Sequence, residues 1–368
     1  MFRPFHMLLF AGLAALAASG SSTSKARLVL PAPGKAQSDD PQPLSVMTYN
    51  IKGLPWPIAL GREEAMERIA DRLAALRRAG RQPHVILLQE AFTPEAAQIA
   101  AQAGYAHVAA GPDAGLRTPI PATEGDTAYG EQALWYRGEG VDKQLGSGLM
   151  ILSDYPIIGI DRMAFPDFAC AGFDCLANKG VLIAHLKVPG IDAPVSIVNT
   201  HLNARKAAGV PIGRSLQAFS RQVELMARFI RRHVPADRAM ILGGDMNIGG
   251  DRDRYAAFFT RFAQTGMGFV TPAGGGARIA LAQTAAGDTE ALRDLAASCD
   301  RRKDWLFARD VGNVPMRVVQ ADVPFGREPQ GEPLSDHFGY AIRYAPGGAP
   351  TMRLASARRP AVMTGNGA

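Results

Sequence analysis

Five times along this chain an apolar run of strand length meets Asn, Asp, Glu or His at its end. Leu44 to Ile51 alternates in strand fashion and carries Asn50. His84 to Gln89 is a short apolar run closed by Glu90. Val195 to Thr200 leads into His201, and Ala239 to Gly243 leads through Gly244 into Asp245 and Asn247. Asp336 and His337 stand just before the strand Gly339 to Tyr344. One polar residue at a strand end is ordinary turn punctuation. A repeated set of groups that bind cations, hold anions or carry protons is a stronger constraint, because strand ends on a rigid scaffold are where loops present chemistry. A carboxylate closing a buried strand, as at Glu90, is costly without a cation beside it.

Between these strands the hydrophobic period changes. Glu63 to Arg78 places Ile69, Leu73 and Leu76 at helical spacing, with Gly80 as its stop signal. Arg214 to Arg232 is a longer amphipathic helix carrying Leu216, Phe219, Val223, Met226 and Ile230. Ser147 to Leu152, Gly180 to Leu186 and Lys303 to Ala308 read as further strands. The mixture predicts an α/β fold. With 47% hydrophobic and 20% charged residues, the chain can bury a substantial core, and its 368 residues fit one large domain or two ordinary ones.

The ends read differently. Arg3 and His6 precede an apolar run over 7–18, followed by Ser19, Gly20, Ser21 and Ser22. This is the pattern of a secretory signal peptide, assigned to 1–21, and the run is too short for a membrane span. Residues 22–43 read as a linker, 44–345 as the folded domain and 346–368 as a disordered tail. Periplasmic or secreted localisation follows. In an oxidising compartment Cys170 and Cys175 can close a small loop, leaving Cys299 over. Free thiols are the equal alternative, and the spacing is not a zinc pattern.

The strand-end residues match the needs of phosphodiester hydrolysis. Such an ester resists attack because its negative charge repels an incoming anion; an enzyme neutralises the charge, activates a water and stabilises the leaving oxygen. Magnesium takes hard oxygen ligands and needs only one or two carboxylates. A His oriented by a carboxylate works near neutral pH. Six segments occur in order: Met47-Thr-Tyr-Asn50, Leu87-Leu-Gln-Glu90-Ala-Phe92, Asn199-Thr-His201-Leu, Gly243-Gly-Asp245-Met-Asn247, Lys303-Asp304-Trp-Leu-Phe307 and Leu334-Ser-Asp336-His337-Phe338. Together they resemble the ordered motifs of the endonuclease/exonuclease/phosphatase superfamily, which includes pancreatic-type deoxyribonucleases, apurinic endonucleases, inositol polyphosphate phosphatases and neutral sphingomyelinases.

The resemblance spans roughly residues 44–344. It implies a four-layer sandwich of two mixed β-sheets flanked by helices, the deoxyribonuclease-like fold, with the site at one end of both sheets. It implies Glu90 as principal metal ligand, with Asn50 and Asp336 near the metal and its waters. His337 is then the general base or the group that polarises the phosphate, and Asp304 orients it. Asp245 and Asn247 position the attacking water and the phosphate, and His201 stabilises the transition state or assists the leaving group. The implied cofactor is magnesium, with manganese or calcium as alternatives.

In detail the chain is most similar to the sphingomyelinase branch, through Gly146-Ser-Gly-Leu-Met-Ile-Leu-Ser-Asp-Tyr-Pro-Ile157 and Asn178-Lys179-Gly180. Lys179 is a candidate phosphate-binding cation or simply a turn residue. The substrate is therefore a phosphodiester in a lipid headgroup or in nucleic acid, with inositol phosphates and a non-catalytic binding domain as further alternatives. A formal net charge of +6 suits an approach to phosphate-rich partners. Peripheral membrane contact would fall to Trp56, or to Val323 and Phe325 in the stretch from Ala321 to Pro333. For a nuclease, Arg205, Lys206, Arg214 and Arg221 are candidates to track a backbone. Nothing in the sequence calls for an obligate protein partner.

Overall fold

The computed structural model describes residues 43–267, 271–283, 290–309, 316–328 and 333–346. The expected signal peptide, nearly all of the expected linker, and the tail beyond 346 lie outside the described residues.

The first sheet runs in the order β10 (Met316–Phe325), β11 (Gly339–Pro346), β1 (Leu44–Gly53), β2 (Val85–Ala91), β4 (Met150–Ser153), β3 (His107–Ala110). The second runs β5 (Ile157–Ala164), β6 (Gly180–Leu186), β7 (Val195–His201), β8 (Met240–Asp245), β9 (Asp304–Arg309). Only β1 with β2, and β7 with β8, pair in parallel; every other neighbouring pair is antiparallel, so both sheets are mixed.

Side chains alternate across a strand, and this period of two sorts the residues into layers. Leu44 and Val46 of β1, Val85 and Leu87 of β2, Ile197 of β7, Ile241 of β8 and Leu306 of β9 form one cluster between the sheets. On the outer face of the first sheet, Met47, Tyr49 and Ile51 meet Met66, Ile69 and Leu73 of helix α1 (Arg62–Arg78) and Ile99 of α2 (Pro94–Gln102). On the outer face of the second, Val181, Val198 and Leu242 meet Phe219, Val223, Met226 and Ile230 of α4 (Ile212–His233) and Phe258 and Phe262 of α5 (Arg252–Gln264). These four α4 side chains are fully buried, worth roughly 2 kcal/mol each. The result is the expected four-layer sandwich. Helix α3 (Glu124–Glu131) starts in a capping box of Thr123 with Asp126. Helices α6 (Gly276–Gln283) and α7 (Glu290–Arg301) cover the β9 and β10 side.

Among the strands expected from sequence, Gly180–Leu186 keeps its bounds, while the one expected from Ser147 to Leu152 starts at Met150. β3, β5 and β10, all sheet edges, carry no clear signal in the sequence. Along β5 burial alternates from Ile157 to Arg162, with Ile158 and Ile160 outward. Its apolar residues on the exposed face therefore mask the core period. Cys170 and Cys175 are joined in a disulfide, and Cys299 is free and half-buried.

Candidate active site

The inward-facing rows of the sandwich change from apolar to polar toward one end. On β1 the row is Leu44, Val46, Thr48, Asn50; on β7 it is Val195, Ile197, Asn199, His201; on β8 Ile241, Gly243, Asp245; on β9 it enters at Asp304 before Leu306. Strand register then sets His201 beside Asp245 and Asp245 beside Asp304. Gly244 permits this packing: its φ is 130°, and a Cβ there would lie 2.0 Å from the Thr200 carbonyl oxygen. Behind the rows, Gln89 Nε2 donates to Asn199 Oδ1 at 2.8 Å, and Asn199 Nδ2 donates to the Leu88 and Met150 carbonyls, tying the sheets together.

Glu90 has the wrong parity for this row, and the backbone corrects it. Its φ is 56°, in the left-handed region, as is that of Asn247 at 48°. Such non-glycine conformations are strained and concentrate at functional sites. Asn50 Nδ2 donates to Glu90 Oε1 at 2.8 Å and to Asp245 Oδ2 at 3.2 Å. His201 Nε2 and His337 Nε2 lie 3.5 and 3.7 Å from the same Asp245 oxygen. His337 Nδ1 is 2.8 Å from Asp304 Oδ2. Asn247 donates through its backbone N–H to Asp245 Oδ1 at 3.0 Å and through Nδ2 to the Leu202 carbonyl at 2.9 Å. The loop bearing His337 is pinned to β1 by Ser335, whose hydroxyl donates to the Asn50 carbonyl at 2.7 Å and accepts from the His337 N–H. Arg62 closes the same corner, donating to the Ile51 and Leu334 carbonyls.

The electrostatics divide the groups. Burial alone would lower His337, but the Asp304 and Asp245 carboxylates outweigh it and push its pKa up to about 9. Burial and the Lys179 ammonium drive His201 down to about 3, so it is neutral. Burial opposes ionisation of Asp245, yet the charged His337 and Lys303 and the Asn247 N–H hold its pKa well below the usual carboxylate range. Removal from water raises Glu90. Asp245, Asp304 and His337 present ligand atoms within 4.8 Å of one another. Asp304 and His337 already engage each other, leaving the Glu90 and Asp245 carboxylates as the hard-oxygen set, with Asn50 turning its Nδ2 to both while its Oδ1 accepts from the Lys52 N–H. This donor chemistry fits magnesium-like cations.

Of the residues expected from sequence, Asn50, Glu90, His201, Asp245, Asn247, Asp304 and His337 converge here. Two are placed differently. Asp336 is not with the buried carboxylates: its side chain is 59% exposed, with Lys52 at 3.9 Å. Lys179 is 5% exposed and already engaged, 2.9 Å from Asp174 Oδ2 and 3.2 Å from His201 Nε2, and it donates to the Leu202 carbonyl. It orients His201 from within the wall. Asp174 lies in the turn bracketed by the Cys170–Cys175 disulfide.

Arg254 is the residue the sequence reading missed. It is fully buried and donates to the carbonyls of Asn203, Ala204, Ser215 and Asn247, joining the loops after β7 and β8 to α4. Its ring neighbour is Phe219, with 4.5 Å from guanidinium to centroid. Its signal was available: Arg254, Phe258 and Phe262 fall at helical spacing on one face, where a charge stands out. The basic residues after His201 are mostly engaged within the fold: Arg205 with Asp251, Arg214 with Glu139, and Arg221 with Asp126 and Glu224. Phe325 is not an exposed anchor; it is buried and stacks on Tyr49 with centroids 4.7 Å apart.

Comparison with known proteins agrees with this fold. Over 307 residues the chain is 27% identical to a sphingomyelinase of Mycobacterium bovis, covering 80% of this chain and 51% of that protein. The chain thus spans about half the length of the curated relatives it matches. Its fold is similar to sphingomyelinase C from Streptomyces griseocarneus (TM-score 0.51, 20% identity, 82% of this chain and 99% of that one). It is also similar to a beta toxin from Staphylococcus aureus with bound magnesium ions (TM-score 0.53, 14% identity, 82% and 99%). The model of the Endonuclease/Exonuclease/phosphatase family matches residues 47–337, from the first strand-end motif to the last, and the chain belongs to that family.

Proposed function

We propose that this protein is an exported, divalent-metal-dependent phosphodiesterase of the sphingomyelinase type, hydrolysing a phosphocholine lipid to a phosphomonoester and an alcohol. The observation that carries the reading is the convergence of Glu90, Asn50, Asp245, His201 and the His337–Asp304 pair at one end of both sheets. Sphingomyelinase relatives, and a protein of the same fold with bound magnesium, support the lipid and the cation.

Glu90 would hold the cation, with Asn50 orienting its carboxylate, and the cation would supply charge neutralisation at the phosphate and at the leaving oxygen. The chain's own groups do the rest. Asp304 accepts a hydrogen bond from the His337 Nδ1–H and so turns Nε2 toward the pocket. With its pKa near 9, His337 is an imidazolium at neutral pH, which favours polarising the phosphate over abstracting a proton. Asp245 stays ionised, and Asn247 and Asn50 hold it toward the attacking water. It orients that water as the phosphorus–oxygen bond to the alcohol breaks, while the His337 imidazolium can give the departing oxygen its proton and recover one from the attacking water. His201, kept neutral and oriented by Lys179, stands beside Asp245 to assist the departing oxygen.

The ion pairs that engage Arg205, Arg214 and Arg221 weigh against a nucleic-acid track and favour the lipid. The test is a side-by-side assay of sphingomyelin, phosphatidylcholine, duplex DNA and a soluble inositol phosphate at fixed salt with Mg²⁺. Release of choline phosphate without DNA nicking is expected. DNA nicking without lipid turnover would replace this reading with a nuclease.

A further inference from the structure

At the end of the second sheet away from the site, four polar side chains form a row across three strands and a helix. Asp161 of β5, His185 of β6 and Ser196 of β7 lie on the outer face. His185 pairs with Ser196 in register, and Asp161 stands two residues from Gly159, the β5 partner of His185. The last residue of α4, His233, joins them. His185 Nε2 is 2.9 Å from Asp161 Oδ2, and His233 Nδ1 is 2.9 Å from Asp161 Oδ1. On its other side His185 Nδ1 is 2.9 Å from Ser196 Oγ. Gly159 makes room for the ring: a Cβ there would lie 3.2 Å from His185 Cδ2. Ser196 precedes His201 on β7 by a distance of about 16 Å, at the ~3.3 Å rise of a strand, and faces the other way. The cluster is therefore separate from the active site.

Two imidazoles and a carboxylate are a donor set for a zinc-class cation. Around tetrahedral zinc, with bonds of about 2.0 Å, neighbouring ligand atoms stand about 3.3 Å apart. The two imidazole–carboxylate separations of 2.9 Å are close to two such edges. The third edge is open, since the three do not fit within the 4.8 Å that encloses Asp245, Asp304 and His337. Closing it needs Asp161 to turn one oxygen to both rings and His233 to swing inward, a freedom that the fraying end of a helix allows. Three features favour a cation here. The Ser196 hydroxyl holds the His185 ring through Nδ1 and leaves Nε2 for the cluster, which is how metal-binding histidines are fixed from behind. The three side chains are between 20% and 30% exposed, so ions in solvent reach them. The C-terminal end of a 22-residue helix, with its partial negative charge, lies at the cluster. Of the basic neighbours in sequence, Lys187, Arg231 and Arg232 are exposed and oppose a cation only through solvent, and Arg162 is turned to the Ala110 carbonyl.

We propose that Asp161, His185 and His233 bind one zinc-class cation, which cross-links β5, β6 and the end of α4. The site is independent of the substrate and of the catalytic metal. The probe is Zn²⁺ alone, titrated by calorimetry into full-length protein saturated with Mg²⁺. His185→Gln/His233→Gln should lose one equivalent of bound Zn²⁺ relative to the unmodified protein and keep its circular dichroism spectrum. Asp161→Asn, which keeps the shape, should lose the same equivalent, and it carries the test if the double variant fails to fold. Ser196→Ala should keep the equivalent but bind it about tenfold more weakly. Zn²⁺ should raise the melting temperature of the Mg²⁺-saturated unmodified protein more than that of the double variant. Equal Zn²⁺ equivalents in the unmodified protein, the folded double variant and Asp161→Asn would overturn the site, because any zinc then lies elsewhere. A double variant that melts lower, with no difference in Zn²⁺ uptake, would overturn it as well and leave the three residues as a hydrogen-bonded clamp.

Discussion

His337 Nδ1 lies 2.8 Å from Oδ2 and 3.0 Å from Oδ1 of Asp304, a pair formed across 33 residues of sequence. Both groups are buried, so the carboxylate fixes the ring's tautomer and its charge together. Asp304→Asn keeps the shape but offers the ring an amide. We expect turnover to fall about 10³-fold or more, with an unchanged circular dichroism spectrum. His337→Ala should be at least as damaging. Near-normal kcat in a folded Asp304→Asn protein would remove the pair from the mechanism.

Glu90 is a carboxylate whose removal from water already disfavours its ionised form. A bound cation relieves that cost. Mg²⁺ should therefore raise the melting temperature, with about 2.7 kcal/mol of added stability at a hundredfold excess over Kd. Glu90→Gln should abolish the shift along with activity. Calorimetry with and without chelator checks this. Full activity in excess chelator would exclude the metal.

Arg254 satisfies four backbone carbonyls with one buried side chain. Arg254→Met fills similar space but leaves those carbonyls without a donor. A loss of about 3 kcal/mol is expected, the usual scale for breaking a buried charged network. Because the carbonyls belong to the loops of Asn203 and Asn247, kcat should fall more than KM rises. Urea denaturation and steady-state kinetics separate the two effects.

His84 accepts the Ser45 N–H through Nδ1, and burial lowers its pKa to about 4. An unfolded His titrates near 6.5, so between these values the unfolded chain binds the proton and the folded one does not. The contribution is present above about pH 6.5 and is lost as pH falls toward 4. From pH 7 to pH 5 it amounts to about 2 kcal/mol. His84→Gln, which keeps an acceptor, should be less sensitive to acid over that interval. Equal acid sensitivity of the two proteins by urea midpoints would refute it.

The layers were legible because their signals are local. Periods of two and 3.6 mark β1, β2, β6, β7, β8, α1 and α4, all with at least one face deep in the core. Edge strands such as β5 expose Ile158 and Ile160 and so lose the contrast that the period needs. The site was legible as a list, since an Asn, Glu, His or Asp at the end of an apolar strand stands out. Arg254 was lost because a single charged residue in a helix is ordinarily solvated, and only packing shows this one to be buried.

The sequence alone determined the parity. Asn50, His201, Asp245 and Asp304 share a face with core residues of their own strands, so any sheet built from those strands carries them inward. What tertiary structure decided was which of them meet. Interstrand register, the left-handed turn at Glu90 and the long-range closure of Ser335 onto Asn50 bring the groups within hydrogen-bond range, while Asp336 faces Lys52 and Lys179 is drawn to Asp174. Apart from the local turn at Glu90 and the Lys179–Asp174 pair, these outcomes depend on distances between residues far apart in the chain, which no local period encodes.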